Sequence, residues 1–319
     1  MKSFGNYLEL DLRSGKHYHE NAIKLNSAKN CLRYILKAKK YKKIIIPYYT
    51  CKDILDIVNS INIEHEFYSI NEFFEPVKIN KLSSGEAFLY TNYYGLKSKT
   101  VENLSKIYQS QLIIDNALAF YEKPVSGIDT FYSARKFFGV PDGAYLYTDT
   151  ILKEDIEQDR LSYSRMIHLL KRIDVSIEES HTDFLINEQN LDEQPLMKMS
   201  KLTEKLLMGI DYETIKNKRI ENYYYLNSAL KNENMLKIAC PKDAVPMIYP
   251  FINNKIALRE KLAKNKIYAT TFWTNIFDWC NRDQTEYLLA NHTMPLPIDQ
   301  KYSMEDMKKI TEIVLQLIK

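Results

Sequence analysis

The stretch Leu112 to Tyr147, LIIDNALAFYEKPVSGIDTFYSARKFFGVPDGAYLY, decides the fold. A β-branched run, Leu112-Ile113-Ile114, stops abruptly at Asp115. A second extended run, Asp129 to Tyr132, breaks at Ser133-Ala134-Arg135-Lys136. The turn signal Pro141-Asp142-Gly143 follows, and then an alternating strand from Ala144 to Thr148. In an α/β chain, a polar residue just past a buried strand lies at the carboxyl edge of the sheet, where ligands bind. Asp115 and Lys136 both fall at such an edge.

Taken singly, a strand-ending Asp is usually a cap and a Lys in a basic turn is usually solvated. A carboxylate and an amine presented together suit pyridoxal phosphate: the lysine holds the aldehyde as a Schiff base and the aspartate keeps the pyridine nitrogen protonated. The order of the pieces strengthens that expectation. Ile113-Ile114-Asp115-Asn116-Ala117, then Ser133-Ala134-Arg135-Lys136, then Asp142-Gly143, resembles the DegT-type (DegT/DnrJ/StrS) sugar aminotransferases, pyridoxal-phosphate enzymes of the aspartate aminotransferase fold. The resemblance implies Lys136 as the Schiff-base lysine and Asp115 as the pyridine partner. It also implies fold class α/β of the fold type I kind: a large domain with a mainly parallel sheet and a smaller C-terminal α+β domain. The expected division is 1–210 for the cofactor-binding domain and 211–319 for the small one.

Working upstream, Ser27 precedes a segment whose apolar positions Ala28, Cys31, Leu32, Ile35 and Leu36 recur at helical spacing. Ser27 reads as an N-cap, and amides freed at a helix start also bind phosphate. The resemblance places the cofactor phosphate at this turn, where Ser27-Ala28-Lys29 keeps the family's serine but lacks its glycine. Ile44 to Ile46 reads as a buried strand ended by Pro47, and Thr50 with Asp53 as a capping box for the next helix. The family covers one face of the cofactor ring from this turn; the matching residue is Cys51, with Tyr48 and Tyr49 as other candidates. Thr91-Asn92-Tyr93-Tyr94-Gly95 matches the family's aromatic-Gly turn. Three residues after the aspartate the family carries a donor to the cofactor's phenolic oxygen, whereas this chain has Leu118. Asn92 is a candidate replacement, although it also suits the turn. Ser133 is a candidate phosphate ligand, and Arg135 reads as solvated or as an anion partner.

Downstream, an amphipathic segment spans Met166 to Ile173, and Glu178 to Pro195 reads as a polar connector without the family's Asn loop from the neighbouring subunit. Helices are expected near Ser200 to Met208, Tyr212 to Lys231 and Lys255 to Lys264, with strands at Pro246 to Phe251 and Ile267 to Thr270. Ser303 and Asp306 form a capping box for a last helix. Met294-Pro295-Leu296-Pro297 resembles the family's Leu-Pro segment.

The 319 residues carry 44 basic and 41 acidic side chains, net +3, so no global field argues for nucleic acid. The four cysteines form no CxxC pair, which suits a reducing, cytoplasmic setting. Lys2 precedes no apolar signal core, and no stretch approaches a membrane span. His17-x-His19 lacks companions at metal-ligand spacing and reads as a solvated segment, so no metal is expected. The expected function, implied by the resemblance, is transfer of an amino group from an amino acid such as glutamate to a nucleotide-linked keto sugar, by a homodimer. Two alternatives stay open: a pyridoxal-phosphate enzyme with another reaction outcome, and a non-catalytic homologue with an interaction or regulatory role.

Overall fold

A computed structural model describes residues 4–192 and 194–319. The basic Lys2 and residue 193 of the expected polar connector lie outside the described residues. In chain order the elements begin β1 (Ile23–Leu25), α1 (Ala28–Lys39), β2 (Lys43–Pro47), α2 (Lys52–Ser60) and β3 (Glu64–Tyr68). Next come β4 (Glu86–Thr91), α3 (Ser98–Tyr108), β5 (Leu112–Asn116), β6 (Asp129–Ser133) and β7 (Ala144–Tyr147). A helical region follows: α4 (Ile167–Asp174), α5 (Ile177–Asp192), α6 (Lys201–Met208) and α7 (Tyr212–Leu230). The chain closes with β8 (Tyr249–Ile252), α8 (Leu258–Lys264), α9 (Ile276–Trp279), α10 (Thr285–His292), β9 (Thr293–Leu296) and α11 (Met304–Ile318).

Seven strands form one sheet in the order β1-β7-β6-β5-β4-β2-β3. β2 to β6 pair in parallel, and β7 and β1 complete the sheet antiparallel. The alternation of side chains along a strand explains why β5 is apolar throughout. Ile113 packs with α1 and α2 on one face, in a cluster with Leu32, Ile35, Ile44 and Phe131. Leu112 and Ile114 face the other way, into a cluster that takes in Val101 and Leu104 of α3 and much of the C-terminal region. With both faces covered, what the sheet presents to ligands is its carboxyl edge.

Ser27 caps α1, its hydroxyl accepting the Asn30 amide at 3.3 Å. The capping box at Ser303 and Asp306 is present at the start of α11. β8 and β9 make a two-stranded antiparallel sheet.

Several expectations are corrected. The residues just before Ser27 form β1, a strand with no sequence signal, paired antiparallel to β7. Thr50 and Asp53 do not form a capping box: Cys51 is the N-cap of α2, and no side-chain hydrogen bond caps the helix. The Thr50 carbonyl instead accepts from Asn275, at 3.0 Å. Ile267 to Thr270 is not a strand; Ile267 is buried, but this segment joins no sheet. The expected connector from Glu178 is mostly the helix α5, antiparallel to α4 across a short turn. Its inward residues are Ser180, Asn187 and Leu191, so it lacks the apolar stripe that marks a helix in sequence. His17 and His19 are not a solvated pair. His19 lies against the Tyr132 ring with Nε2 2.8 Å from the Phe120 carbonyl, and burial lowers its pKa to about 4.

Candidate active site

β5 carries Asp115 to the carboxyl edge and buries it, 6% exposed. Oδ1 accepts the Ala117 amide at 2.8 Å and Oδ2 the Thr91 hydroxyl at 3.3 Å. Those two neutral donors do not offset the lost hydration, so the carboxyl pKa rises to about 6. Such a carboxylate is short of a cation. Lys136 is the named positive charge acting on it.

Lys136 ends a single 3-10 turn, Ala134–Lys136, directly after β6. Its side chain is exposed to water by area. Desolvation first, and then the Arg135 charge, lower its pKa, which favours the neutral, nucleophilic amine. Two backbone hydrogen bonds tie this turn to the start of α1. The Ala134 amide donates to the Gly143 carbonyl at 3.0 Å, and the Gly143 amide to the Asn26 carbonyl at 2.7 Å. Gly143 has φ +113°, and a Cβ there would stand 3.0 Å from Thr203 Cγ2, so the turn requires glycine. Lys136 and Ser27 are thus held to one frame. Ala28 and Lys29 at the helix start are half-buried, with their amides not spent on the helix ladder. Ser133 is buried on β6, opposite Ala144.

Cys51 is half-buried, and its thiol and the Lys136 amine feel each other's charge. Burial pushes the thiol pKa well up and keeps it neutral. Asn92 is 1% exposed, and its Oδ1 accepts the Lys97 amide at 2.9 Å. Its backbone amide donates to the Asp115 carbonyl at 2.9 Å, which joins the Asn92 turn to the end of β5. Asn92 therefore shapes its turn, and no partner is recorded for Nδ2 among the described residues. Leu118 is buried in the core. Tyr48 stacks on Phe67 and Tyr49 packs beneath Trp273, so both serve packing.

The structure brings further charges to this edge. The Arg135 guanidinium is not solvated: it pairs with Glu188 of α5, and burial lowers its pKa to about 10. Lys29 pairs with Asp192 at the end of α5, 3.2 Å apart. Asp53 of α2 also acts on the Lys136 charge. Behind the Gly143 turn, Arg165 donates to Asp142 at 2.8 Å and pairs with Asp159, all three buried. No signal in the chain pointed to these pairs, apart from the place of Asp142 beside the turn glycine.

The fold as a whole is similar to that of DegT DnrJ EryC1 StrS aminotransferases of known structure. One from Brucella abortus superposes with a TM-score of 0.61 at 12% identity, over 93% of this chain and 86% of that one. Helicobacter pylori PseC, an aminotransferase of pseudoaminic acid biosynthesis, gives 0.63 at 15% identity, over 93% and 86%. NtdA from Bacillus subtilis with bound cofactor PMP gives 0.63 at 14%, over 93% of this chain and 73% of that one. At such identities the likeness establishes the fold: an α/β chain with a large, mostly parallel sheet, similar to these aminotransferases. No protein-family model matches the sequence, and no curated protein sequence matches it.

Proposed function

We propose that this chain is a pyridoxal-phosphate-dependent sugar aminotransferase, taking nitrogen from an amino acid such as glutamate and giving it to a nucleotide-linked keto sugar. The observation that carries the reading is the pairing of a cation-poor buried carboxylate, Asp115, with an amine of lowered pKa, Lys136, on one sheet edge. The residues fit the cofactor. Asp115 would hold the ring nitrogen, Lys136 the aldehyde carbon, and Ser27, Ala28 and Ser133 the phosphate. Cys51 would lie against the ring, and the Asn92 side-chain amide would donate to the phenolic oxygen in addition to closing its turn. When bound, the cofactor supplies the electron sink that stabilises a substrate carbanion.

The chain's own residues do the rest. The Lys136 amine would move a proton at the substrate carbon as base and then as acid. Its lowered pKa favours the neutral form that can accept that proton. Asp115 would hold its negative charge against a protonated ring nitrogen, and a cation there would lower its raised pKa. A homodimer in a reducing, cytoplasmic setting completes the proposal. Its support is a row of exposed apolar side chains on α4 and α5, including Leu170, Ile173 and Leu185, on a chain whose cysteines are all free. The division at 210/211 is proposed on the same footing.

Borohydride reduction of protein loaded with pyridoxal phosphate, followed by peptide mapping, tests the reading. The label is expected on Lys136, and Lys136→Ala is expected to carry none. Glutamate should change the visible spectrum of the wild type. A label mapped to another lysine, or a spectrum indifferent to every amino acid, would overturn it.

A further inference from the structure

An aminotransferase that serves a sugar must hold two unlike ligands at one site in turn. The amino-acid donor brings a carboxylate, and the sugar that replaces it has none in that place. A fixed cation that suits the first is left desolvated and unpaired by the second, which is unfavourable. Arg135 is the cation in question. It directly precedes Lys136, and its charge is the second-largest influence on the Lys136 amine. Its side chain is 17% exposed and its partner Glu188 33%, so water reaches the pair and it is not sealed in the core.

Of the other carboxylates whose charge acts on Arg135, Asp53 makes no ion pair within 4 Å among the described residues, and the remaining two are already engaged. Asp142 is held by Arg165 at 2.8 Å, and Asp192 by Lys29 at 3.2 Å. Glu188 has Arg135 as its one recorded partner, and contacts one edge of the fork through Nη2. Nε–H and Nη1–H are recorded with no protein partner among the described residues. A guanidinium accepts a carboxylate through two parallel hydrogen bonds, a geometry that this single contact does not use up.

Glu188 also rides on an element that can yield. The inward face of α5 is Ser180, Asn187 and Leu191, and both amide atoms of Asn187 are buried without a partner. A helix seated on unsatisfied polar atoms loses little by shifting, because movement lets water reach them.

We propose that Arg135 and Glu188 form a carboxylate switch that rests on the aminotransferase reading. Arg135 binds the donor carboxylate when Glu188 swings away, and Glu188 neutralises Arg135 again when the uncharged end of the sugar occupies the site. Arg135 is thereby a substrate-binding residue, and Glu188 a positioning residue acting through it.

The test uses glutarate, which has the carboxylates of glutamate but no amine, titrated calorimetrically into unloaded protein. Glu188→Gln removes the internal competitor, and glutarate is expected to bind on the order of tenfold more tightly. Arg135→Gln is expected to weaken it by a similar factor or more, and Arg135→Lys to recover part of the loss. Thermal melts confirm folding, and Glu188→Ala serves as a second competitor-free variant. Glutarate affinity that is equal in wild type, Arg135→Gln and Glu188→Gln overturns the switch, as does weaker binding to both Glu188 variants. Borohydride labelling of Lys136 is read separately on the same proteins. Its absence in the wild type would remove the aminotransferase reading, while the glutarate series still decides the Arg135 role.

Discussion

Asp115 shows how one residue carries both a cost and a function. Its carboxyl titrates near 6 in the folded chain, against an ordinary value of 3.8. Below about pH 3 both folded and unfolded states hold the proton and no penalty arises. Between 4 and 6 the unfolded state ionises first, so stability falls as pH rises, and the loss is complete above about 6. At about 1.4 kcal/mol per unit the penalty is up to about 3 kcal/mol. Urea unfolding of cofactor-free Asp115→Asn is therefore expected to show greater stability than wild type at pH 8, and almost no gain at pH 3. Added pyridoxal phosphate should reverse the order at pH 8, because the ring cation relieves Asp115 alone. A variant no more stable than wild type at pH 8 would show that burial does not strain this carboxyl. For activity, Asp115→Ala is expected to keep some lysine adduct and lose on the order of a hundredfold or more in rate.

At the scale of elements, the α4–α5 hairpin has two faces with different duties. The inner face brings Glu188 and Asp192 to Arg135 and Lys29. The outer face leaves Ile173 80% exposed, with Leu170, Leu185 and Ile186 about half exposed beside it. Apolar side chains clustered at helical spacing on a surface mark a contact with another chain. We expect a second copy to cover them, in an interface of at least roughly 1,200 Å² in total. Ile173→Asp should convert the dimer to monomer in sedimentation velocity. A wild type that sediments as a fully active monomer at micromolar concentration would rule the interface out.

The whole molecule is joined by one hydrophobic cluster. Tyr49, Tyr68 and Tyr93 from the large sheet share it with Tyr223, Leu226, Tyr249 and Leu296 from the C-terminal region. Tyr49 packs edge-on against Trp273, and the Met247 amide donates to the Tyr94 carbonyl at 3.0 Å. Separating the parts at 210/211 would expose these rings to water, at about 25 cal/mol for each Å² of apolar surface. One cooperative transition is therefore expected in urea. Tryptophan fluorescence, which reports on Trp273 and Trp279, should coincide with far-ultraviolet circular dichroism, which reports on the whole chain. Separate midpoints would mean that the C-terminal region unfolds independently.

What the sequence by itself determined are features written within a few residues of one another. Asp115 and Lys136 were legible because apolar runs stop at them, and the ends of buried strands lie at a ligand edge. Ser27, Ser303 and Asp306 were legible because a cap is a hydrogen bond across one helical turn. Tertiary structure alone decided the rest. Arg135 looked solvated until α5 returned Glu188 to it, and His19 looked exposed until Tyr132 and Phe120 closed over it. α5 was hidden because a helix packed through Ser180 and Asn187 carries no apolar period. Arg165 gave no local sign of its two aspartates. Charge pairing and desolvation depend on distances through space, and those are set by where the chain comes back to itself.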